Sequence, residues 1–231
     1  MLDSAGACSN STTVGIMRVL TVNPTHPRDD RLGEAVDAIE AGGVVALPTE
    51  TFYGLACDAF NVEALKRINL LKGKPDNSPN LLLISDPAQV ESVADEVPER
   101  FHELTELFWP GPLTLVVSAA ARVPVEVTGG GGKVAVRVPG LALPRQIARA
   151  LGRPITGPSA NLHDQPACRT ALEVAEIFGE GLEMILDGGA TAAGKPSTIL
   201  DLTGAVPRVL REGILPASSL EPFLPELKVS S

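Results

Sequence analysis

The chain has 231 residues, of which 44% are hydrophobic, so it is long enough to bury a substantial core in one large domain or two small ones. Its 19 Lys and Arg residues are outnumbered by 28 Asp and Glu residues, and the formal net charge is −9. A surface of this sign repels nucleic-acid backbones except where basic residues cluster, which excludes a broadly basic nucleic-acid-binding protein.

In the first part of the chain, short apolar runs alternate with helical patterns. The predicted elements, in order, are a disordered extension (1–16), a strand (18–22), a helix (29–43), a buried strand (44–48), an unassigned segment (49–60), a helix (61–73) and a strand (81–85). Asp29 or Asp30 is placed to cap the first helix, and Asn61 to cap the second. Gly73 ends the second helix, so Lys72 lies at a helix end.

The same alternation continues to the carboxyl end. The predicted elements are a helix after a capping box at Asp86 and Gln89, a helix (99–109), strands (113–117 and 134–138), a helix (143–151), a strand (154–157), a loop (158–169), a helix opened by Thr170 and Glu173, and strands (183–187, 197–202 and 208–211). This order predicts an α/β fold, with an open, twisted, mixed sheet and flanking helices. Loops that follow the strands are expected to line the ligand crevice. We predict one domain over residues 17–220 and a weakly structured tail over residues 221–231.

Cysteine usage and the absence of long apolar runs bear on the compartment. Cys8, Cys57 and Cys168 lie far apart and are odd in number, so the sequence predicts neither a disulfide framework nor a paired-cysteine metal site. The apolar runs are shorter than the roughly 18 residues of a membrane span, and the first residues lack the layout of a signal peptide. We therefore predict a cytoplasmic protein without a membrane association.

One segment partly matches the phosphate-binding P-loop. Residues 189–195, GATAAGK, fit the first seven positions, but Pro196 stands where the motif needs Ser or Thr for magnesium. A predicted strand follows, whereas the motif runs into a helix. The glycine run 129–132, followed by Lys133, fails for the same reason. A P-loop nucleotidase that uses Lys195 therefore stays a minor hypothesis.

Two lysines lie one residue apart after the second helix, in the stretch KGKP (72–75). In an irregular turn, both ammonium groups can converge on a polyphosphate. The ordinary structural alternative for Lys72 is a cation that complements the helix C-terminus, and for Lys74 a solvated loop charge. The sequence pattern alone leaves both interpretations open.

Two further polar stretches, PTETFYG (48–54) and GPSANL (157–162), follow predicted strands. Ser159 and Asn161 are common in turns and caps, and Thr49 and Thr51 are typical of a strand end, so each has an ordinary interpretation. Arg137 lies in the apolar strand VAVRV, where a buried charge needs a partner. A bound carboxylate would serve through a bidentate fork.

Taken together and in order, these motifs carry a resemblance. The motifs are, in order, PTETFYGLACDAF, LKGKP, FWPGPLTLV, KVAVRVP, PSANL, ILDGG, PSTILDLT and VLREG. With these motifs the chain resembles the YrdC-type threonylcarbamoyl-AMP synthases over residues from about 18 to about 220, in the short, single-domain form. The resemblance implies a YrdC/RibB-like α/β fold with a concave site. The ordered set is more specific than any single short motif within it.

The resemblance also implies an activity. It implies a nucleotidyltransferase, L-threonylcarbamoyladenylate synthase, which makes threonylcarbamoyl-AMP and pyrophosphate from L-threonine, bicarbonate and ATP. Mg²⁺ is expected to accompany ATP, and no residue of the chain is assigned to a metal. The product is used by tRNA threonylcarbamoyltransferase proteins for the threonylcarbamoyladenosine modification of tRNA, and a weak contact with tRNA itself is expected.

The resemblance places roles on particular residues. The residues implied in threonine binding are Thr49, Thr51, Arg137, Gly157 and Ser197. The residues implied in nucleotide binding are Lys72, Lys74, Lys133, Ser159, Asn161 and Arg211. The residues implied in catalysis are Lys72, Lys74 and Arg137.

Two alternatives to this activity remain. The family usually has Arg at the position of Lys74, and Lys cannot reproduce the bidentate fork of Arg on a phosphate, so a divergent paralogue with another substrate is one alternative. The other is a non-catalytic module that binds tRNA or double-stranded RNA through its lysines. Only 3% of the residues are aromatic, which leaves few stacking platforms for single-stranded bases.

Overall fold

The computed structural model describes residues 17–75, 78–192 and 194–229, so the predicted extension at residues 1–16 lies outside the described residues. The strands are β1 (Arg18–Thr21), β2 (Val45–Pro48), β3 (Tyr53–Ala56), β4 (Leu82–Leu83), β5 (Leu113–Ser118), β6 (Lys133–Arg137), β7 (Ile155–Thr156), β8 (Met184–Asp187), β9 (Thr198–Asp201), β10 (Arg208–Arg211) and β11 (Lys228–Val229). The α-helices are α1 (Asp29–Glu40), α2 (Val62–Lys72), α3 (Glu99–Phe108), α4 (Val125–Thr128), α5 (Ala142–Leu151) and α6 (Ala171–Phe178).

The strands form two mixed sheets. The first has the order β1-β8-β2-β3, and the second has the order β11-β10-β9-β5-β6-β4-β7. In the first sheet β8 runs parallel to both β1 and β2, whereas β3 returns antiparallel to β2 as a hairpin. The second sheet alternates parallel and antiparallel pairs from β11 to β7. The predicted mixed α/β architecture is confirmed, and it is divided over two sheets instead of one.

The two sheets meet along β3. Leu55 N–H donates to the Pro158 carbonyl at 3.0 Å, and Gly54 forms an antiparallel bridge with Ser159. The chain that leaves β7 therefore continues along β3 and closes the gap between the sheets. This arrangement fixes the first residues of the predicted loop (158–169) against the β2–β3 hairpin, where the polar residues of both segments lie side by side.

Helices pack on both faces of the first sheet, which explains why the strand β2 inside it is apolar on both sides. On one face, Ile39 of α1 and Ile147 of α5 pack with Leu47 of β2 in one fully buried cluster. Ala46 points to the opposite face and belongs to the larger cluster, which contains Ile68 of α2. All four residues of β2 are buried, so the strand has no polar side.

Several predicted helix ends are confirmed. The Asn61 side chain accepts a hydrogen bond from Ala64 N–H at 3.1 Å, and Gly73 ends α2 in the left-handed region at φ 60°. Thr170 and Glu173 form the complete capping box at the start of α6. These signals act within one turn of chain, so the sequence alone is sufficient to locate them.

Two predicted caps are wrong. Arg28, and neither Asp29 nor Asp30, is the N-cap of α1; the two carboxylates lie in the first turn, where they complement the helix dipole. After Asp86 the chain forms a 3₁₀-helix (Pro87–Ser92) without a side-chain cap. Gln89 Oε1 instead accepts from Ser85 N–H at 2.9 Å, so it stabilises the turn that precedes the helix.

The carboxyl end differs from the predicted tail. Leu220 and Leu224 are buried in the core, and β11 pairs in parallel with β10. The prediction of a weakly structured tail from residue 221 is therefore wrong for residues 221–229. Pro216, Pro222 and Pro225 separate short turns in this stretch. The leucines between these prolines, Leu220 and Leu224, are buried, and their burial holds the turns against the core.

Candidate functional site

A cavity of about 540 Å³ lies at the junction of the two sheets. Its volume falls in the range of small-molecule sites, roughly 300–1,000 Å³. Among the predicted site residues, those that line it are Thr49, Thr51, Lys72, Lys74, Arg137, Gly157, Ser159, Asn161, Ser197 and Arg211. Segments that are far apart in the sequence are thus brought to one concavity.

The β2–β3 turn places the two threonines. Thr49 Oγ1 accepts from Thr51 N–H at 3.2 Å and from Phe52 N–H at 3.3 Å, and it donates to the Phe52 carbonyl at 2.8 Å. The Thr49 hydroxyl is therefore committed to the turn, which agrees with its ordinary interpretation. Thr51 Oγ1 lies 2.7 Å from Thr49 Oγ1 and faces the cavity.

Lys72 joins the end of α2 to the loop after β7. Its ammonium group donates to the main-chain oxygens of Ser159 and Asn161, the latter at 2.7 Å, and to Asn161 Oδ1 at 3.2 Å. Ser159 Oγ donates to the same Oδ1 at 2.6 Å. Lys72 is only 3% exposed, so it acts as a buried clamp on this loop and not merely as a cation at a helix end.

Lys74 is held by a residue that sequence reasoning missed. Its ammonium group donates to Asn80 Oδ1 at 3.0 Å and to the Pro79 carbonyl at 3.2 Å. Asn80 is fully buried, and its amide donates to Asn69 Oδ1 and to the Glu126 carbonyl. The solvated-charge interpretation of Lys74 is therefore wrong. Asn80 carries no motif in the sequence that would have marked it.

The environment of the two lysines favours an anion. Burial and the nearby charge of Lys74 lower the pKa of Lys72 to about 7. Burial lowers the pKa of Lys74 to about 8. An anionic ligand between them would supply the missing counter-charge and raise both pKa values.

Arg137 lies at the end of β6 and is 2% exposed. Its Nη1 lies 3.4 Å from Thr51 Oγ1 and 3.5 Å from Glu50 Oε1, and its Nε has no acceptor among the described residues. Burial lowers the pKa of Arg137, and the Glu50 carboxylate works against that lowering. The guanidinium thus keeps donor capacity for a ligand at the cavity wall, and the sequence analysis missed Glu50 as its neighbour.

A second arginine meets the same cavity from β10. Arg211 Nη2 donates to the Ser197 carbonyl at 3.0 Å, and the hydroxyls of Ser197 and Thr114 lie 2.9 Å apart. Burial and the charge of Arg137 lower the pKa of Arg211, so the two guanidinium groups belong to one positive region. Thr114 was not predicted, because a Thr in an apolar strand is common without a functional role.

The structure places Lys133, a predicted nucleotide-binding residue, apart from the other predicted site residues. This residue is not among those that line the cavity. Its ammonium group pairs with Asp201 at 2.9 Å, and its side chain is 48% exposed. The pair joins β6 to β9 away from Arg137, because Lys133 and Arg137 stand at opposite ends of β6.

The partial P-loop match is not a phosphate site in the fold. Lys195 is exposed and does not line the cavity, and the chain continues from it into the strand β9. The strand that the sequence predicts after this segment is confirmed.

Within residues 17–75, 78–192 and 194–229, no helix is long and apolar enough to cross a membrane.

The loop after Asn161 contributes cavity residues that are not among the predicted site residues, including His163 and Asp164. His163 N–H donates to the Lys72 carbonyl at 2.7 Å, and Asp164 adopts a left-handed backbone conformation at φ 60°. Both line the cavity. Asp tolerates this conformation better than most residues, so the turn forms without Gly. The composition of the loop, His-Asp-Gln-Pro, carries no motif that would have marked it.

Comparison with known protein families places the chain. The model of the Sua5, YciO and YrdC proteins, described as telomere recombination, matches residues 37–213. The threonylcarbamoyl-AMP synthase of Pyrococcus abyssi is 42% identical over 195 residues, which are 84% of this chain and 57% of that protein. The threonylcarbamoyl-AMP synthase of Vibrio cholerae is 36% identical over 186 residues, which are 80% of this chain and 98% of that protein.

Solved structures agree with this placement. The crystal structure of P. abyssi Sua5 complexed with L-threonine superposes with a TM-score of 0.88 at 39% identity, over 92% of this chain and 62% of that one. E. coli YciO gives a TM-score of 0.80 at 25% identity, over 90% of this chain and all of that one. The chain spans less than two thirds of the P. abyssi protein. By sequence and by fold, the chain belongs to the Sua5/YciO/YrdC family.

Proposed function

We propose that this chain synthesises threonylcarbamoyl-AMP and pyrophosphate from L-threonine, bicarbonate and ATP. The observation that carries the proposal is the charge of the cavity. Among the described residues, Lys72, Lys74, Arg137 and Arg211 line it, and Asp164 is the only carboxylate that does. Such a cavity suits a substrate set that consists of an amino-acid carboxylate, bicarbonate and a triphosphate. Relatives of this family bear the name of this activity, and one was crystallised with L-threonine.

The proposed reaction has two bond-forming steps. The threonine amine and bicarbonate form a carbamate with loss of water, and a carbamate oxygen then attacks the α-phosphorus of ATP. The bond from the α-phosphorus to the leaving oxygen breaks, and pyrophosphate departs. Neither step needs a covalent nucleophile from the protein, so positioning and charge stabilisation are sufficient.

Each end of the cavity takes one part of this reaction in our proposal. Arg137 receives the threonine carboxylate, with Thr51 beside it at 3.4 Å. Lys72 and Lys74 face the triphosphate, where their charge offsets the negative charge that builds up as pyrophosphate leaves. Lys74 acts as a point charge and not as a fork, since its ammonium group is already oriented by Asn80.

Ser159, Asn161, Ser197, Gly157 and Arg211 complete the proposed site. The first two hold the ammonium of Lys72 in place, and Arg211 adds charge beside Ser197. Gly157 gives the loop its close approach, because a Cβ there would come within 2.4 Å of the Leu83 side chain.

Mg²⁺ enters this proposal only as the partner of ATP. Within the described ranges, no group of three or more His, Cys, Asp and Glu side chains is placed to hold a metal ion. The donors that suit Mg²⁺ are oxygens, and here the phosphate oxygens of ATP supply them in place of protein carboxylates. We therefore assign no residue of this chain to the metal.

We propose that the chain works in the cytoplasm and passes its product to the proteins that modify tRNA. Cys57 and Cys168 are free, buried thiols, which suits a reducing compartment.

The alternative of an RNA-binding module needs lysines that reach a phosphate backbone on the surface. Lys72 is 3% exposed inside the cavity, which argues against that alternative.

Pyrophosphate release tests the proposal. Purified protein with Mg²⁺ should release pyrophosphate only when ATP, L-threonine and bicarbonate are all present. Omission of any one of the three is the internal control, and incorporation of labelled bicarbonate into the nucleotide product identifies the carbamate. Turnover that does not need bicarbonate, or no turnover with all three substrates and Mg²⁺ supplied, would contradict the proposed function.

A further inference from the structure

Glu50 is a partly buried acidic residue at the tip of the β2–β3 turn, with its side chain 21% exposed. Among the described residues, neither of its carboxylate oxygens receives a hydrogen bond, although both are enclosed. Gly140, in the loop after β6, packs against this carboxylate so closely that a Cβ there would lie 3.3 Å from Glu50 Cδ. An enclosed carboxylate without donors is costly, so its retention here needs a reason.

The neighbouring charge is Arg137. Glu50 Oε1 lies 3.5 Å from Arg137 Nη1, which is close enough for charge attraction but does not form a hydrogen bond. A bidentate pair would have taken up two guanidinium donors. In the observed geometry the carboxylate balances the buried positive charge without taking up a guanidinium donor. Nη1 donates to Thr51 Oγ1 at 3.4 Å, and the enclosed Nε has no acceptor among the described residues.

We propose that Glu50 is a positioning residue for the substrate carboxylate. It holds the Arg137 guanidinium, in its ionised form, at the cavity wall with its donors free for the carboxylate of the amino-acid substrate. This inference rests on the proposed function, and it deepens it by assigning a residue that does not itself line the cavity. Because Glu50 acts through Arg137, its effect is confined to the amino acid and does not extend to the nucleotide.

The turn gives Glu50 a fixed position from which to act. Thr49 Oγ1 accepts hydrogen bonds from the N–H groups of Thr51 and Phe52, so the backbone of Glu50 has little conformational freedom. The same short segment therefore delivers both Thr51 Oγ1 and Glu50 Oε1 to Arg137 Nη1. Replacement of the carboxylate by an amide of the same shape removes the charge and leaves the turn intact.

The test compares binding of two ligands to the full chain by calorimetry. For Glu50→Gln, we expect the Kd for L-threonine to rise by about tenfold or more, because the guanidinium loses its counter-charge, while the Kd for a non-hydrolysable ATP analogue changes less than about twofold. Asp201→Asn is the matched control, since it breaks the Lys133–Asp201 pair outside the cavity. Both Kd values should stay at the wild-type level in that variant.

Glu50→Asp keeps the charge with a shorter reach, and it serves as the second variant if Glu50→Gln does not fold. We expect a loss of threonine affinity smaller than that of the amide, again with unchanged binding of the analogue. Unchanged threonine affinity in these variants, or an equal loss for both ligands, would overturn the inference and leave the proposed function standing. Wild-type protein that does not bind threonine would instead contradict the proposed function, and with it this inference.

Discussion

The two ends of the cavity hold their positive charges in different ways. At the lysine end, the ammonium groups of Lys72 and Lys74 donate to oxygens of the chain itself. The contacts with oxygens of Asn161, Pro79 and Asn80 are 2.7–3.2 Å long. At the arginine end, the contacts of the Arg137 guanidinium with side chains of the described residues are a 3.4 Å contact with Thr51 and a 3.5 Å charge contact with Glu50. The lysines therefore supply charge at fixed points, whereas Arg137 keeps directional donors for a ligand.

This difference suits two kinds of ligand group. A phosphate chain carries charge over many oxygens, so fixed point charges recognise it without exact alignment. A single carboxylate is better distinguished by a fork of free N–H donors. The comparison predicts that substitutions at the two ends have separable effects on the nucleotide and on the amino acid.

The largest effect is expected at the lysine end, for Lys72→Met. The variant removes a charge and leaves the oxygens of Ser159 and Asn161 without their donor, so the loop loses its clamp. We expect kcat/KM in the pyrophosphate-release assay to fall by roughly 100- to 1,000-fold, the range for loss of one preorganised donor.

Lys66→Ala is the control for this prediction, because Lys66 is an exposed lysine on the same helix that pairs only with Glu63. Its kcat/KM should remain within about twofold of the wild type, as expected for an exposed pair. An equal loss in both variants would indicate damage to α2 and not loss of a site residue.

The next effect is expected at the arginine end, for Arg137→Lys. The variant keeps the charge beside Glu50 but loses the planar fork. The KM for threonine should rise roughly 30-fold, which corresponds to about 2 kcal/mol, while the KM for ATP changes less than about threefold. Steady-state kinetics with each substrate varied in turn measures the split. A larger change for ATP than for threonine would reverse our assignment of the two ends.

A proton-linked effect is expected from the lowered pKa values of Lys72 and Lys74, about 7 and about 8. The triphosphate prefers the ammonium forms, which are lost from the free protein as the pH rises through this window, so nucleotide affinity should fall from pH 7 to pH 9. At pH 8, binding should raise both pKa values and take up about one proton.

Calorimetry of ATP-analogue binding in HEPES and in Tris measures this uptake from the difference in apparent enthalpy. Lys72→Met should reduce the uptake, and Lys66→Ala should preserve it. The same enthalpy in both buffers at pH 8 would contradict the proposed contact between the lysines and the phosphates.

The smallest effect is expected outside the cavity, for Lys195→Ala. Lys195 is exposed and does not line the cavity, although it closes the partial P-loop match. Both kcat and KM should stay within about twofold of the wild type, since isolated surface substitutions usually have little effect. Loss of activity in this variant alone would revive the P-loop hypothesis and displace the cavity as the nucleotide site.

The parts of the fold that the sequence predicts well are local. Asn61, Gly73 and the Thr170–Glu173 box act within one helical turn, and all appear where predicted. The weaker predictions depend on packing. The segment at 49–60 was left unassigned, yet β3 forms there because it pairs with β2 and with the loop after β7. Local propensity contains no information about such partners.

The candidate site shows the same division. The order of the motifs selected Lys72, Lys74 and Arg137, which the fold brings to one cavity. The contact between Lys72 and the predicted site residue Asn161 was not predicted, because the two residues are 89 positions apart. Glu50 and Asn80, which contact Arg137 and Lys74, were missed because neither has a motif that reports a distant partner. Lys133 was the opposite case, since a lysine beside glycines resembles a phosphate ligand until its pairing with Asp201 is seen.

The comparison between the two ends is tested most directly by a crystal structure with L-threonine and a non-hydrolysable ATP analogue bound together. Our account predicts the threonine carboxylate within hydrogen-bond distance of the Arg137 guanidinium, and the phosphates beside the ammonium groups of Lys72 and Lys74. Phosphates bound at Arg137, or at residues 189–195 with Lys195, would contradict it.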